Sequence, residues 1–188
     1  MRSRPPPNPD LTYTDLGALP SNLVGEMLGG ELVTSSRPGT VQTLAATALL
    51  STLGGPFMSG KGGPGGWVLL FAPELHLGGE MLVPDIAGWR RERLPELPDV
   101  TVMTLPPDWV CEVLSDETEA LDRGSKMLTY AREQVEHVWL VNPDTRTLEV
   151  YRFEDACWSL LAVHEDAAKV RAEPFQTLKL ELGSLWKR

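Results

Sequence analysis

The stretch Trp109-Val110-Cys111-Glu112-Val113-Leu114 is apolar on both of the faces that alternate along a β-strand. Such a strand belongs at the centre of a sheet covered on both sides, which asks for helices as well as strands. The rest of the chain supplies them. Residues 22–28 and 31–34 flank Gly29-Gly30 and read as an N-terminal β-hairpin. Leu44, Ala45, Ala48, Leu49 and Leu53 recur at helical spacing, and Gly54-Gly55-Pro56 ends that pattern. Residues 67–71 and 74–77 read as strands, with 81–87 returning antiparallel after Gly78-Gly79, and residues 90–107 read as a long exposed connection. A helix over 118–135 carries an apolar stripe of Leu121, Leu128, Ala131 and Val135, beside a second stripe of Asp122, Lys126 and Tyr130. Residues 137–142 form a further buried strand, 147–153 and 158–164 a C-terminal hairpin, and 175–185 a last strand or short helix. No repeat or shift in composition divides the chain. The expectation is a mixed α/β (α+β) fold, with residues 1–10 a disordered tail and 11–188 one domain.

Gly55 to Lys61 imitates the start of a phosphate-binding loop. Gly62 stands where the metal-binding Ser or Thr belongs, and Pro64 blocks the helix that should follow, so the imitation is rejected. Apolar runs fall far short of the roughly 20 residues of a membrane span, and the basic start lacks the apolar core of a signal peptide. A cytoplasmic protein with no membrane partner is expected, its Cys111 and Cys157 reduced core thiols. A net charge of −9 argues against broad, sequence-independent DNA binding. The one local basic patch is Arg90-Arg91-Glu92-Arg93.

Asp85 and Glu112 interrupt apolar strand-like runs, Val83-Pro84-Asp85-Ile86 and Val110-Cys111-Glu112-Val113. A carboxylate buried there costs several kcal/mol unless it is paired or bound to a cation. Two on neighbouring strands share a proton or a divalent metal, and an oxygen-only set favours Mg²⁺ (or Mn²⁺) over Zn²⁺. Lys126 on the following helix adds an ammonium that stabilises charge developing on a phosphodiester.

The run Val83-Pro84-Asp85-Ile86-Ala87-Gly88-Trp89-Arg90-Arg91-Glu92-Arg93 resembles the bacterial Uma-two family of restriction-endonuclease-like proteins, within the PD-(D/E)XK nuclease-like superfamily. So does Pro107-Asp108-Trp109-Val110-Cys111-Glu112-Val113-Leu114-Ser115, followed by Asp122-Arg123, Lys126, Tyr130-Ala131 and Trp139-Leu140-Val141-Asn142-Pro143. The resemblance implies a restriction-endonuclease-like core: a helix, a three-stranded meander, a crossover helix and a further strand, a mixed sheet flanked by helices. It implies that Asp85 and Glu112 are the two acidic motif positions and metal ligands. Leu114 stands where the superfamily lysine lies, so that role passes to Lys126. Glu26, in Gly25-Glu26-Met27-Leu28-Gly29-Gly30-Glu31-Leu32, is a further acidic catalytic candidate, and Gln42 replaces a common His. Ser115-Asp116-Glu117 adds negative charge where Ser-Pro-Ser is usual.

The expected activity is metal-dependent hydrolysis of DNA, with Asp85, Glu112, Lys126 and Glu26 catalytic. Arg90, Arg91, Arg93, Arg123 and Gln42 are the expected substrate contacts, and DNA is held weakly. The alternative is a catalytically silent nuclease-like fold that binds a partner or forms a homodimer.

Overall fold

The computed structural model describes residues 16–187, so the expected tail at 1–10 lies outside the described residues. Two mixed sheets and two helical segments make up the α+β architecture that the sequence predicts. The large sheet runs in the order β11-β10-β9-β8-β6-β3. Its strands are β3 (Trp67–Phe71), β6 (Ile86–Arg90), β8 (Trp109–Val113), β9 (His137–Asn142), β10 (Thr147–Glu154) and β11 (Cys157–Glu165). Strands β8 and β9 are parallel, and every other neighbour in this sheet is antiparallel. The small sheet, β2-β1-β5-β4-β7, contains β1 (Leu23–Leu28), β2 (Glu31–Ser36), β4 (Glu74–Leu77), β5 (Glu80–Leu82) and β7 (Val102–Met103). A separate pair joins β12 (Lys169–Val170) to β13 (Leu180–Glu181).

Helix α1 (Thr40–Leu53) packs Ala45, Ala46, Leu49 and Leu53 on one face of the large sheet, against Trp109, Cys111 and Val113 of β8. Val110 and Leu114 point to the opposite face and meet the small sheet and the second helical segment. All five β8 residues are buried, as a doubly covered central strand demands. The chain order α1, β3, β6, β8, crossover helix, β9 is the expected nuclease-like core. A parallel neighbour for β8 requires such a crossover.

Four local readings differ from the fold. The helix does not stop at Gly54 but widens into a π turn over Gly54–Met58, where Ser59 N–H bonds to Gly54 O at 3.2 Å. Pro56 sits within that turn, and the wider i→i+5 pattern accommodates a residue that clashes in a regular α-helix. The 81–87 run is two strands in different sheets, split by Val83-Pro84-Asp85, so Asp85 sits at a bend rather than within a strand. Cys157 is exposed at the sheet edge, whereas Cys111 is buried. The stripe on the 118–135 helix is also reassigned, because Leu128 is 73% exposed while Asp122, Lys126 and Tyr130 turn inward. Among the described residues, no helix is long and apolar enough to cross a membrane.

Candidate functional site

The register of β6 against β8 fixes the centre of the site. Ile86 pairs with Cys111 and Ala87 with Val110, so the next position outward sets Asp85 opposite Glu112. Residues opposite one another across an antiparallel pair share a face. Asp85 is fixed there by accepting the Val113 N–H at 2.7 Å, while its own carbonyl accepts the Ala72 N–H at 2.9 Å.

The second helical segment covers this pair. It comprises α2 (Glu119–Leu121), a π turn over Asp122–Lys126 and α3 (Met127–Arg132). Four residues advance a regular α-helix by about 400°, so Asp122, Lys126 and Tyr130 would fan across about 80°. A π turn fits more residues into each turn and narrows that fan, bringing all three onto the sheet. The Lys126 ammonium lies 3.1 Å from Glu26, 3.1 Å from Asp122 and 3.3 Å from Glu112. Tyr130 donates its hydroxyl to Glu112 at 2.5 Å.

Glu26 reaches the cluster from the small sheet. The Gly29-Gly30 turn, with φ of 61° and 78°, folds β1 back on β2, a left-handed pair that glycine adopts without strain. Glu26 also accepts the Val83 N–H at 2.8 Å, tying β1 to the bend that carries Asp85. Exposures of 4% for Glu26, 1% for Glu112, 2% for Asp122 and 4% for Lys126 leave all four side chains largely desolvated.

Burial sets the protonation. Loss of water pushes the Asp85 carboxyl up to about 6, against the pull of the Val113 N–H and Lys126. Burial drives Glu112 well above the carboxylate range, with Lys126 opposing and Asp122, Asp85 and Glu26 adding repulsion. Burial also favours neutral Lys126, but Glu112, Glu26 and Asp122 outweigh it and hold the ammonium charged well beyond its ordinary range. Tyr130 is pushed well up, first by burial and then by Glu112, so its hydroxyl is a donor.

The cluster opens into a cleft of about 870 Å³. Gln42 lines it, as do Glu26, Asp85, Glu112 and Lys126, so five of the sequence candidates share one cavity. The four arginines do not line it. Arg90 pairs with Glu136 and Asp108, and Arg93 with Asp108. Arg91 donates to the Pro95 carbonyl. Arg123 binds Glu149 through two hydrogen bonds and Glu119 through a third. Asp116 and Glu117 do line the cleft. Its described lining holds eight carboxylates but only Arg37 and Lys126 as cations.

Two members of the cluster, Asp122 and Tyr130, were visible in the sequence as a stripe with Lys126 but were not assigned to the site. Ranking the apolar stripe as the buried face concealed them.

A nuclease-like fold with a buried carboxylate–lysine cluster is the class these features define. The same fold occurs in a crystal structure described as "a putative nuclease belonging to DUF820" from Anabaena variabilis ATCC 29413. The two share 20% sequence identity with a TM-score of 0.74, over 94% of this chain and 97% of that one. Residues 13–183 match the Uma2 family, described as "Putative restriction endonuclease", and the chain belongs to that family. No curated protein matches it.

Proposed function

We propose that the chain is a divalent-metal-dependent endonuclease that hydrolyses DNA phosphodiester bonds. The observation that carries this reading is Asp85 set opposite Glu112 in the lining of a cleft, with the charged Lys126 beside Glu112.

The donor set fits a hard divalent cation. It is all oxygen, and its carboxylates outnumber its one ammonium. Among the described residues, no three Asp, Glu, His or Cys side chains are gathered to hold a metal by themselves. Asp85 and Glu112 would therefore hold Mg²⁺ or Mn²⁺ as a pair, with water and substrate phosphate completing the shell, the usual habit of Mg²⁺. Bound there, the ion supplies Lewis-acid polarisation and a more acidic water. Lys126 stays cationic and offers its charge to the phosphoryl oxygens. Glu26 holds both Lys126 and the Val83 backbone, so it positions the ammonium relative to Asp85. Gln42 and Arg37 are the polar groups of the cleft wall that suit a phosphate backbone.

Purified protein should nick single- or double-stranded DNA at low salt with Mg²⁺ or Mn²⁺ and stop with EDTA. Asp85→Ala and Glu112→Ala should each lower the rate by at least about 10²-fold, since each removes a ligand of an ion that stabilises the transition state by several kcal/mol. Equal activity in wild type and Asp85→Ala would assign the cleavage to a contaminant. The excess of carboxylates around the cleft favours a second reading, a catalytically silent module that binds a partner or a second copy of itself. Silence on every substrate, with no divalent cation bound, is the outcome that reading expects.

A further inference from the structure

Glu112 has two oxygens, and its neighbours do not treat them alike. Oε1 accepts the Tyr130 hydroxyl at 2.5 Å and lies 3.3 Å from Lys126 Nζ. Oε2 lies 3.3 Å from the same Nζ and has no second described partner. Each carboxylate oxygen offers about two lone pairs. The ammonium is equidistant from the two oxygens, so the Tyr130 hydroxyl alone distinguishes them, and Oε2 is the oxygen left with more lone-pair capacity.

We propose that Tyr130 is a positioning residue: its hydroxyl fixes Glu112 so that Oε2 alone is presented to a divalent cation, as a monodentate ligand. The inference rests on the metal-dependent reading given above. Tyr130 is fully buried, and from α3 its ring enters the core shared by the large and small sheets. That packing immobilises the hydroxyl, and the hydroxyl in turn immobilises the carboxylate. Without it, only the Lys126 ammonium, 3.3 Å from both oxygens, holds Glu112, and nothing distinguishes Oε1 from Oε2. Partners that orient a metal-binding side chain are worth about 10–100-fold in metal affinity or activity.

The test is an Mn²⁺ titration, followed by electron paramagnetic resonance, of wild type and Tyr130→Phe without DNA. Phenylalanine keeps the ring and removes one oxygen. The expected result is Mn²⁺ binding weakened about 10–100-fold, in a variant whose thermal midpoint in EDTA still shows cooperative unfolding. A space-filling or stabilising role would lower the midpoint and leave the Kd for Mn²⁺ unchanged, and that result overturns the proposal. Wild type that binds no Mn²⁺ defeats the metal-dependent reading itself and takes this inference with it, so the two failures are distinct. A second measurement needs only the wild-type fold. Infrared difference spectra of protein carrying ¹³C-labelled glutamate, before and after Mn²⁺, should show the wide carboxylate splitting of a monodentate ligand. The narrow splitting of a bidentate carboxylate would overturn the proposal even if Tyr130→Phe failed to fold.

Discussion

Lys126 has exchanged its water for three carboxylates, each drawn from a different element: Glu26 on β1, Glu112 on β8 and Asp122 in the π turn. Removing one partner from a buried ionic cluster costs more than forming it returns, because the charges left behind have neither water nor counter-ion. Lys126→Met keeps the length of the stem and deletes the charge. It should destabilise the metal-free protein by about 3–5 kcal/mol, read as a lowered urea midpoint in EDTA at neutral pH. A loss below about 1 kcal/mol would show that the carboxylates relieve themselves by taking up protons. Asp85 and Glu112 were legible as anomalies, single charges inside apolar runs. Tyr130 and Asp122 were not, because a tyrosine or an aspartate on a helix is ordinary until its burial is known.

At the level of elements, the strands were easier to read than the helix. The 22–34 and 147–164 hairpins announce themselves through turn residues and alternation, and they form as expected. The helix after β8 misleads, since its true buried face carries Asp122, Lys126 and Tyr130 while Leu128 faces outward. A hydrophobic pattern cannot reveal a face whose burial is ionic. Nor does sequence announce the π turn that aligns those residues. Gly124 lies in that turn, and a Cβ built there meets nothing within 4 Å. Gly124→Ala should therefore raise stability by about 0.4–1 kcal/mol, by restricting the unfolded chain without a clash. Denaturant titration reads the sign directly, and a loss would mean that the turn depends on glycine's backbone freedom.

Across the whole molecule, the cluster couples folding to protons. The folded-state pKa of Asp85 is raised by burial from 3.8 to about 6, and burial raises that of Glu112 as well. The folded protein thus keeps protons that the unfolded chain has released, and stability falls as pH rises. Asp85 contributes that fall between about pH 4 and about pH 6, and Glu112 acts in the same direction. Carboxylates such as Glu149, held down by Arg123, slope the other way. The quantity to measure is therefore the difference between wild type and Asp85→Asn in EDTA, in unfolding free energy against pH. Wild type should lose stability relative to the variant from pH 4 to 6, and parallel curves would contradict the raised Asp85. The ion pair between Glu26 and Lys126 carries a different consequence, one of timing. Those residues stand 100 positions apart in the chain. A ribosome delivers the β1–β2 hairpin long before it delivers the helix that completes the cluster. A half-made chain therefore holds Glu26 without its ammonium, and the cluster stays incomplete until most of the chain has emerged.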